Sequence, residues 1–463
     1  MKTKIADACR KNRDRIAYTA GDISLAYGEL WDRASRLADL LVRQGTGPVV
    51  LYGEKEPYML VGMFACLLAG RAYVPVNRSL PAARAEKIRI ASGASLVLGA
   101  GDFAGCCLPE EMERYRTCPL QPQNGDTAYI LFTSGTTGEP KGVPISHANL
   151  RHFTEWISRL EPLASYRGCN VLNEASFSFD LSTADIYYAL TNGHTLTALT
   201  AREPGEITAV FREREIHAAM MTPTFGKLCL LDPDFGAERI PTLRCLYFCG
   251  EVLEGKLADR LWKRFPALEI LNAYGPTEAT SAVSAVRIRR EMLDWKRLPV
   301  GVMGETAADV TLEEGEIVLR GDSVFGGYLH GGGVFRDKGV NGYRTGDLGY
   351  VENGYLFCAG RKDDQIKYKG YRIELADIER NLASLPGVTD CAAAAVRSPD
   401  GHVRYIAAWV VGEAQDIRTA LREKLPEWMI PKTVRFVERL PVNEHGKTDR
   451  KVLEQDGYTE TAV

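Results

Sequence analysis

The first 125 residues alternate between two hydrophobic rhythms. From Tyr27 to Gln44 the apolar positions Leu30, Ala34, Leu37, Leu40 and Leu41 recur at helical spacing, which predicts an amphipathic helix. Ile23–Tyr27 alternates loosely, and Pro48–Tyr52 and Ser95–Leu98 are short apolar runs bounded by polar residues, as strands are. The longest apolar stretch, Tyr58–Gly70, spans about 13 residues, short of the ~20 needed to cross a bilayer. It reads as a buried helix leading into a strand at Ala72–Val76, so no membrane insertion is expected.

The middle of the chain repeats this alternation. Val171–Leu172, His217–Thr222, Cys245–Phe248 and Glu269–Leu271 read as buried strands, with helical stretches at Thr183–Thr191 and Glu254–Phe265 between them. Strands interleaved with helices predict parallel, doubly wound sheets. From Pro299 to Leu329 the pattern changes to short strands separated by Gly and Glu, a small antiparallel or barrel-like β piece. At Gly360–Asp364 the chain turns sharply polar. A helix (Leu375–Leu385), two strands (Cys391–Val396, Arg404–Val411), a helix (Ile417–Leu425) and a last strand (Thr433–Val437) follow, enough for a small α+β domain. The expected architecture is α/β: a large domain, residues 1–362, and a small mobile C-terminal domain, residues 363–463.

Composition narrows the class. A hydrophobic fraction of 45% and a charged fraction of 25% suit a globular protein, and 463 residues exceed one compact core. The net charge of −3 argues against a nucleic-acid partner, which would call for a basic excess. The eleven cysteines are scattered without a C-x-x-C pair, and the seven histidines show no ligand spacing. Reduced thiols in a cytoplasmic protein without a structural metal are expected. Met1–Asp14 is mixed in charge, unlike a signal peptide.

The strongest chemical signal is the segment Tyr129–Gly142. An apolar strand runs into Thr133, Ser134, Gly135, Thr136, Thr137 and Gly138, then Glu139, Pro140, Lys141 and Gly142. Glycines let the backbone approach a ligand, successive N–H groups and hydroxyls cradle an anion, and Lys141 adds positive charge. The spacing differs from the G-x-x-x-x-G-K-[ST] loop, and a plain Gly/Thr linker is the alternative by composition alone.

Thr133–Gly142 closely resembles the phosphate loop of the adenylate-forming superfamily, which includes acyl-CoA synthetases, luciferases and nonribosomal peptide adenylation domains. Further segments resemble that family in its own order: Phe179–Ser182 at the substrate pocket, Asn272–Glu278 at the adenine and metal, Tyr343–Asp347 at the ribose. Gly360–Asp363 resembles the hinge, Gly370–Leu375 the stretch after it, and Asn443–Lys447 the C-terminal lysine loop. The resemblance covers nearly the whole chain. It implies that ATP and Mg²⁺ are used, that Asn272, Ala273 and Tyr274 meet the adenine, and that Asp347 and Arg361 hold the ribose. It also implies that Glu278, beside Thr277, carries the metal. Lys447 would bridge the substrate carboxylate and the α-phosphate, and Asp363 would be the pivot that swaps Lys447 for the Gly370–Ile373 segment between two half-reactions.

These roles suit the residue types. An aromatic ring stacks on a purine, a carboxylate is a hard ligand for Mg²⁺, and a cation offsets charge developing at phosphorus. Asp180 is the most informative pocket residue. In amino-acid-activating members its counterpart pairs with the substrate ammonium, whereas acyl-CoA synthetases for plain acids normally lack it. The alternative for Asp180 is an N-cap of the helix that follows.

Phe248–Leu253 resembles the pocket segment of the D-alanine–carrier protein ligases, including the cysteine, here Cys249, that narrows the space beside the methyl group. The remaining expected pocket residues are Leu181, Ala184, Met221, Tyr247, Ala273, Ser281 and Ala282. Ser281 departs from the aliphatic residue expected at that wall, and Val302–Gly315 is shorter than the family usually shows. The implied activity is ATP-dependent adenylation of a small amino acid, D-alanine foremost, and its transfer to the phosphopantetheine arm of a carrier protein. Adenylation of another small amino acid for a nonribosomal peptide, or acyl-CoA synthesis, are the alternatives. A catalytically dead relative is disfavoured by the intact Lys447, Glu278 and Asp347.

Overall fold

The apolar run read as a buried helix forms the helix Pro57–Ala69, started by a proline in its first turn and stopped by Gly70 at a φ of 70°. Proline is preorganised for the first turn, and glycine takes the left-handed stop without a Cβ clash. Every residue from Met59 to Ala69 is buried, so the helix is apolar all round because core surrounds it. Among the described residues no helix is long and apolar enough to cross a membrane.

The structure, a computed structural model, describes residues 1–99, 106–107, 126–135, 139–398, 403–441 and 448–459. Two compact units divide the chain. The first comprises Met1–Asn77, Ser92–Leu131 and Gly142–Lys362, the second Arg78–Ala91, Phe132–Lys141 and Asp363–Val463.

An eight-stranded sheet dominates the first unit. Its order is Ser284–Arg287, Glu269–Tyr274, Cys245–Phe248, Ile216–Met221, Asn170–Asn173, Thr195–Ala198, Ile16–Ala20, Ile23–Ala26. The six inner strands run parallel and the two edge strands antiparallel. Helices Leu181–Thr191 and Gly255–Arg264 fall where helical spacing predicts them. The strand Ile16–Ala20 and the helices His147–Ile157 and Pro204–Glu213 were not predicted. A second sheet carries Val49–Gly53 and Tyr73–Asn77 as parallel neighbours. A third, wholly antiparallel, is built around Val340–Glu352 and Tyr355–Arg361. Its hairpins close through two-residue turns at Glu314-Gly315 and Asn353-Gly354, both residues of each at positive φ. That backbone twist matches the twist of the strands it joins.

One buried cation pins the first two sheets together. Lys55, just past Val49–Gly53, donates from Nζ to the carbonyls of Asn173 (3.1 Å), Glu174 (2.5 Å) and Leu199 (2.9 Å), at the carboxyl ends of two strands of the large sheet. Beside it Asn173 donates to both oxygens of Asp185, which lies fully buried on the helix Leu181–Thr191. Burial pushes the Asp185 carboxyl well above its ordinary range and Lys55 down to about 8. It pushes Glu174 up to about 7, with Lys55 opposing and Glu251 adding to the rise.

In the second unit the hairpin Gln365–Tyr368/Tyr371–Glu374 leads into the helix Leu375–Ala383, followed by a three-stranded sheet of Val388–Arg397, Val403–Gly412 and Thr433–Phe436. The fully buried Asp377 accepts from Arg84 Nη2 at 2.9 Å and from Asn381 Nδ2 at 3.1 Å. Arg84 lies on Ala82–Ser92, a helix missed in the sequence because its few large apolar residues lack a clean periodicity.

Arg84→Ala leaves the Asp377 carboxylate buried with one neutral donor. This is expected to destabilise the second unit by about 3–5 kcal/mol, since removing one partner of a buried pair strands the other charge. Replacing both residues by apolar ones should recover most of the loss, as denaturant midpoints will report.

Glu174 supplies a pH test. The fold holds its proton more tightly than the unfolded chain does, so the stability carried by the protonated form is present below the ordinary carboxyl range. It is lost as pH rises through about 7. Glu174→Gln should therefore raise the urea midpoint relative to the parent at pH 8, with the difference shrinking toward pH 5. A constant difference across that range would contradict the assignment.

Candidate functional site

In an open parallel sheet the strand carboxyl ends bring together loops from different parts of the chain. Here Asn170–Asn173, Ile216–Met221, Cys245–Phe248 and Glu269–Tyr274 all deliver their next residues to one end of the large sheet. Those continuations hold Asp180, Cys249 and the segment Gly275–Ala282.

Asp180 immediately precedes the helix Leu181–Thr191, yet its side chain makes no capping hydrogen bond. The half-buried carboxylate instead accepts a 2.6 Å hydrogen bond on Oδ2 from Thr277 Oγ1. The capping alternative therefore fails. A helix terminus has been given a carboxylate that it does not use.

Thr277 opens the short 3-10 turn Thr277–Ala279. Glu278 in that turn is fully buried, and its Oε1 accepts from Tyr328 Oη at 2.7 Å. Burial, and next the Glu278 charge, push the Tyr328 phenol upward. The backbone then enters the left-handed region twice in succession, at Thr280 (φ 62°) and Ser281 (φ 71°). For a β-branched residue this is a genuine outlier, at a cost on the order of 1–3 kcal/mol. Thr280 is held there by its Oγ1 bond to the Ser323 carbonyl at 2.8 Å. Gly275 permits the return of the loop: a Cβ there would meet Ala282 Cα at 2.4 Å. No sequence pattern announced this strained corner.

A second cluster forms around Asp347. The antiparallel register pairs it with Arg361, whose Nη1 donates to Oδ1 at 2.7 Å, and Tyr274 Oη donates to Oδ2 at 2.7 Å. Tyr274 is 4% exposed, so little of its ring is open to a base. Burial first, and next the Asp347 charge, push its phenol well above the ordinary value. Asn272 is also buried, and its Nδ2 donates to the Pro299 carbonyl at 2.7 Å. The two polar residues expected to meet adenine are thus each held by a partner outside their own segment, Asn272 by the Pro299 carbonyl and Tyr274 by Asp347.

The side chains of Leu181, Ala184, Tyr247, Cys249, Ala273 and Ala282 belong to one buried cluster, on the face of the large sheet covered by Leu181–Thr191. Met221 does not. Alternation along Ile216–Met221 sends Met221 into the cluster on the opposite face, and it is Met220, paired in register with Tyr247, that shares the face of the other expected pocket residues. A one-residue error along a strand moves a side chain across the sheet. The Tyr247 hydroxyl is buried and has no hydrogen-bond partner among the described residues.

In the second unit, Ser134 of the predicted phosphate loop donates from Oγ to the Arg372 carbonyl (2.9 Å) and accepts from the Glu374 N–H (3.0 Å). At Gly135 a Cβ would meet the Glu139 carbonyl oxygen at 2.1 Å. Thr133 ends the strand Thr127–Thr133 and Lys141 begins the strand Lys141–Ser146. Asp363 is the first residue of the C-terminal stretch of this unit, and its Oδ1 accepts from the Gln365 N–H at 3.4 Å. Thr136, Thr137, Gly138 and Lys447 lie outside the described residues.

Comparison with known proteins identifies the family. Residues 5–329 match the family of AMP-binding enzymes, and residues 377–447 match the AMP-binding enzyme C-terminal domain. The D-alanine–D-alanyl carrier protein ligase of Bacillus velezensis is 37% identical, with 98% of this chain and 99% of that protein covered. The ligase of the same name from Listeria welshimeri is 37% identical over 96% of this chain and 97% of its own length. Among solved structures, the Vibrio cholerae adenylation domain AlmE, in complex with glycyl-adenosine-5'-phosphate, superposes with a TM-score of 0.85. It is 24% identical, with 99% of this chain and 97% of that one covered. PA1221, a nonribosomal peptide synthetase protein containing adenylation and carrier domains, gives 0.83 at 28% identity, covering 98% of this chain and 84% of its own. By sequence over nearly its whole length, and by fold, this chain belongs to the AMP-binding enzyme family.

Proposed function

We propose that this protein uses ATP to convert D-alanine to D-alanyl-adenylate and then transfers the D-alanyl group to the phosphopantetheine thiol of a carrier protein. The observation that carries the reading is the Asp180 carboxylate, half-buried, released from capping and oriented by Thr277. A half-buried carboxylate at this place suits the ammonium of an amino acid. A plain acid destined for coenzyme A brings no such cation. The relatives named for D-alanine and a carrier protein support the same choice.

Each group then has a task. Asp180 takes the ammonium, and Leu181, Ala184, Cys249, Ala273 and Ala282 bound a space for a small side chain. Asp347, steadied by Arg361 and Tyr274, retains acceptor capacity on both oxygens for ribose hydroxyls. The loop Thr133–Gly138 and Lys141 take the phosphates. Mg²⁺ fits the donor chemistry at Glu278, because that ion binds through one or two carboxylates plus phosphate oxygens, and it would neutralise phosphate charge when bound.

A carboxylate oxygen of the amino acid attacks the α-phosphorus, and the bond from phosphorus to the bridging oxygen breaks, releasing pyrophosphate. Lys447 offsets the charge brought together, and most of the acceleration comes from holding two anions in line. In the second half-reaction the carrier thiol loses its proton and its sulfur attacks the acyl carbon. The bond from that carbon to the phosphate oxygen breaks and AMP leaves. A swivel at Asp363 withdraws Lys447 between the steps. The setting is the cytoplasm, where ATP and carrier protein meet.

Asp180→Ala is expected to reduce D-alanine-dependent ATP–pyrophosphate exchange about a hundredfold or more, within the 2–5 kcal/mol typical of truncating one partner of a buried charge pair. Exchange at the parental level would exclude ammonium recognition by this residue.

Lys447→Ala should lose adenylation by about 10²–10³-fold, the scale seen when one electrostatic donor is removed from a transition state. Thioester formation from supplied D-alanyl-adenylate should survive. A variant that adenylates normally would refute the assigned role.

A further inference from the structure

Lys447 belongs to a segment, residues 442–448, whose two ends are tied together: the Asp449 N–H donates to the Pro441 carbonyl at 2.8 Å. Leu440 before the segment and Leu453 after it are buried in one cluster with Trp409. Asp449 then starts the helix Arg450–Thr459, its Oδ1 accepting from the Lys451 N–H at 3.1 Å and the Val452 N–H at 3.4 Å. A capped start fixes the direction in which the first helical residue, Arg450, leaves the backbone.

Arg450 distributes its guanidinium over three stretches of the second unit. Nη2 donates to both oxygens of Glu379, at 2.7 and 2.8 Å, on the helix Leu375–Ala383. Nε donates to the Ala393 carbonyl at 3.3 Å, on the strand Val388–Arg397. Nη1 donates to Asp364 Oδ2 at 2.5 Å, and Asp364 is the residue after the proposed pivot. The residue before the pivot is tied as well. In the first unit, Lys362 donates from Nζ to Glu316 Oε2 at 2.5 Å and from its backbone N–H to the Gly346 carbonyl at 3.0 Å. Each neighbour of Asp363 is thus held within its own unit by an ion pair.

We propose that Arg450 is a positioning residue for adenylation: it joins the base of the Lys447 segment to Asp364, so that rotation at Asp363 carries both as one body. The inference rests on the adenylation reading above and adds the residue that transmits the swivel to the lysine. A planar fork holds several acceptors in fixed directions, which an ammonium on a flexible stem does not. The Asp364 side chain is 62% exposed, so its pairing adds little to stability and acts through geometry.

The test measures the two half-reactions separately on the full chain, Arg450→Ala and Asp364→Ala. The first is D-alanine-dependent pyrophosphate exchange. The second is enzyme-dependent thioester formation from supplied D-alanyl-adenylate, with pantetheine as the thiol. Arg450→Ala should lower the exchange kcat by about 10- to 100-fold, since a displacement of about 1 Å can cost about 10²-fold. The KM for D-alanine should not change, because Asp180 and the pocket residues belong to the first unit. Asp364→Ala should lower kcat in the same direction, with the parental urea midpoint. Thioester formation should persist in both variants. Parental exchange in either variant, or equal losses in the two half-reactions, overturns the inference while leaving adenylation standing. Should Arg450→Ala fail to fold, Asp364→Ala decides. A parent that exchanges no pyrophosphate overturns the adenylation reading itself.

Discussion

A carboxylate that does not cap its own helix is the constraint around which this site is organised. Asp180 stands at the start of a helix, where an aspartate ordinarily caps the first turn, and its side chain makes no capping hydrogen bond. It is turned toward Thr277, on a loop that follows a different strand almost a hundred residues later. A carboxylate moved out of water is costly unless its surroundings match its charge. A substrate that brings an ammonium suits such a site better than a simple acid does.

The loop that supplies Thr277 is held by devices of its own. Gly275 lets Ala282 pass close to the backbone, Asn272 ties the end of its strand to the Pro299 carbonyl, and Thr280 is locked at positive φ by Ser323. Local strain of this kind persists only where the surroundings over-determine it. Within seven residues the same segment contributes a hydrogen-bond partner of Asp180, the buried Glu278 and the buried Ser281. Rigidity here keeps groups serving different parts of a substrate at fixed separations, which is what in-line attack requires.

Much of the fold was legible because its signals are local. The helix Pro57–Ala69 announced itself by the continuous apolarity of Tyr58–Gly70. What escaped prediction depends on distant partners. The cation Lys55 makes sense only against carbonyls more than a hundred residues away, and Ala82–Ser92 only against Asp377. The site was legible in its motifs and less so in its geometry. Asp180 and Thr277 could each be named from sequence, but not their bond, and nothing in the run of residues favoured Met220 over Met221. Strand period is two, so the difference between facing the pocket and facing away is a single position, which element boundaries read from sequence do not resolve.

Ser134 extends the argument to the second unit. A serine hydroxyl has one proton, and here that proton is given to the Arg372 carbonyl while the oxygen accepts from the Glu374 N–H. On the proposed function this hydroxyl must also donate to a phosphate, and it cannot donate to two acceptors at once. Arg372 and Glu374 belong to the strand Tyr371–Glu374, a few residues beyond Asp363, the proposed pivot. Phosphate binding by Ser134 and its bond to the Arg372 carbonyl therefore compete for one proton, while the bond from the Glu374 N–H uses a lone pair and is compatible with both.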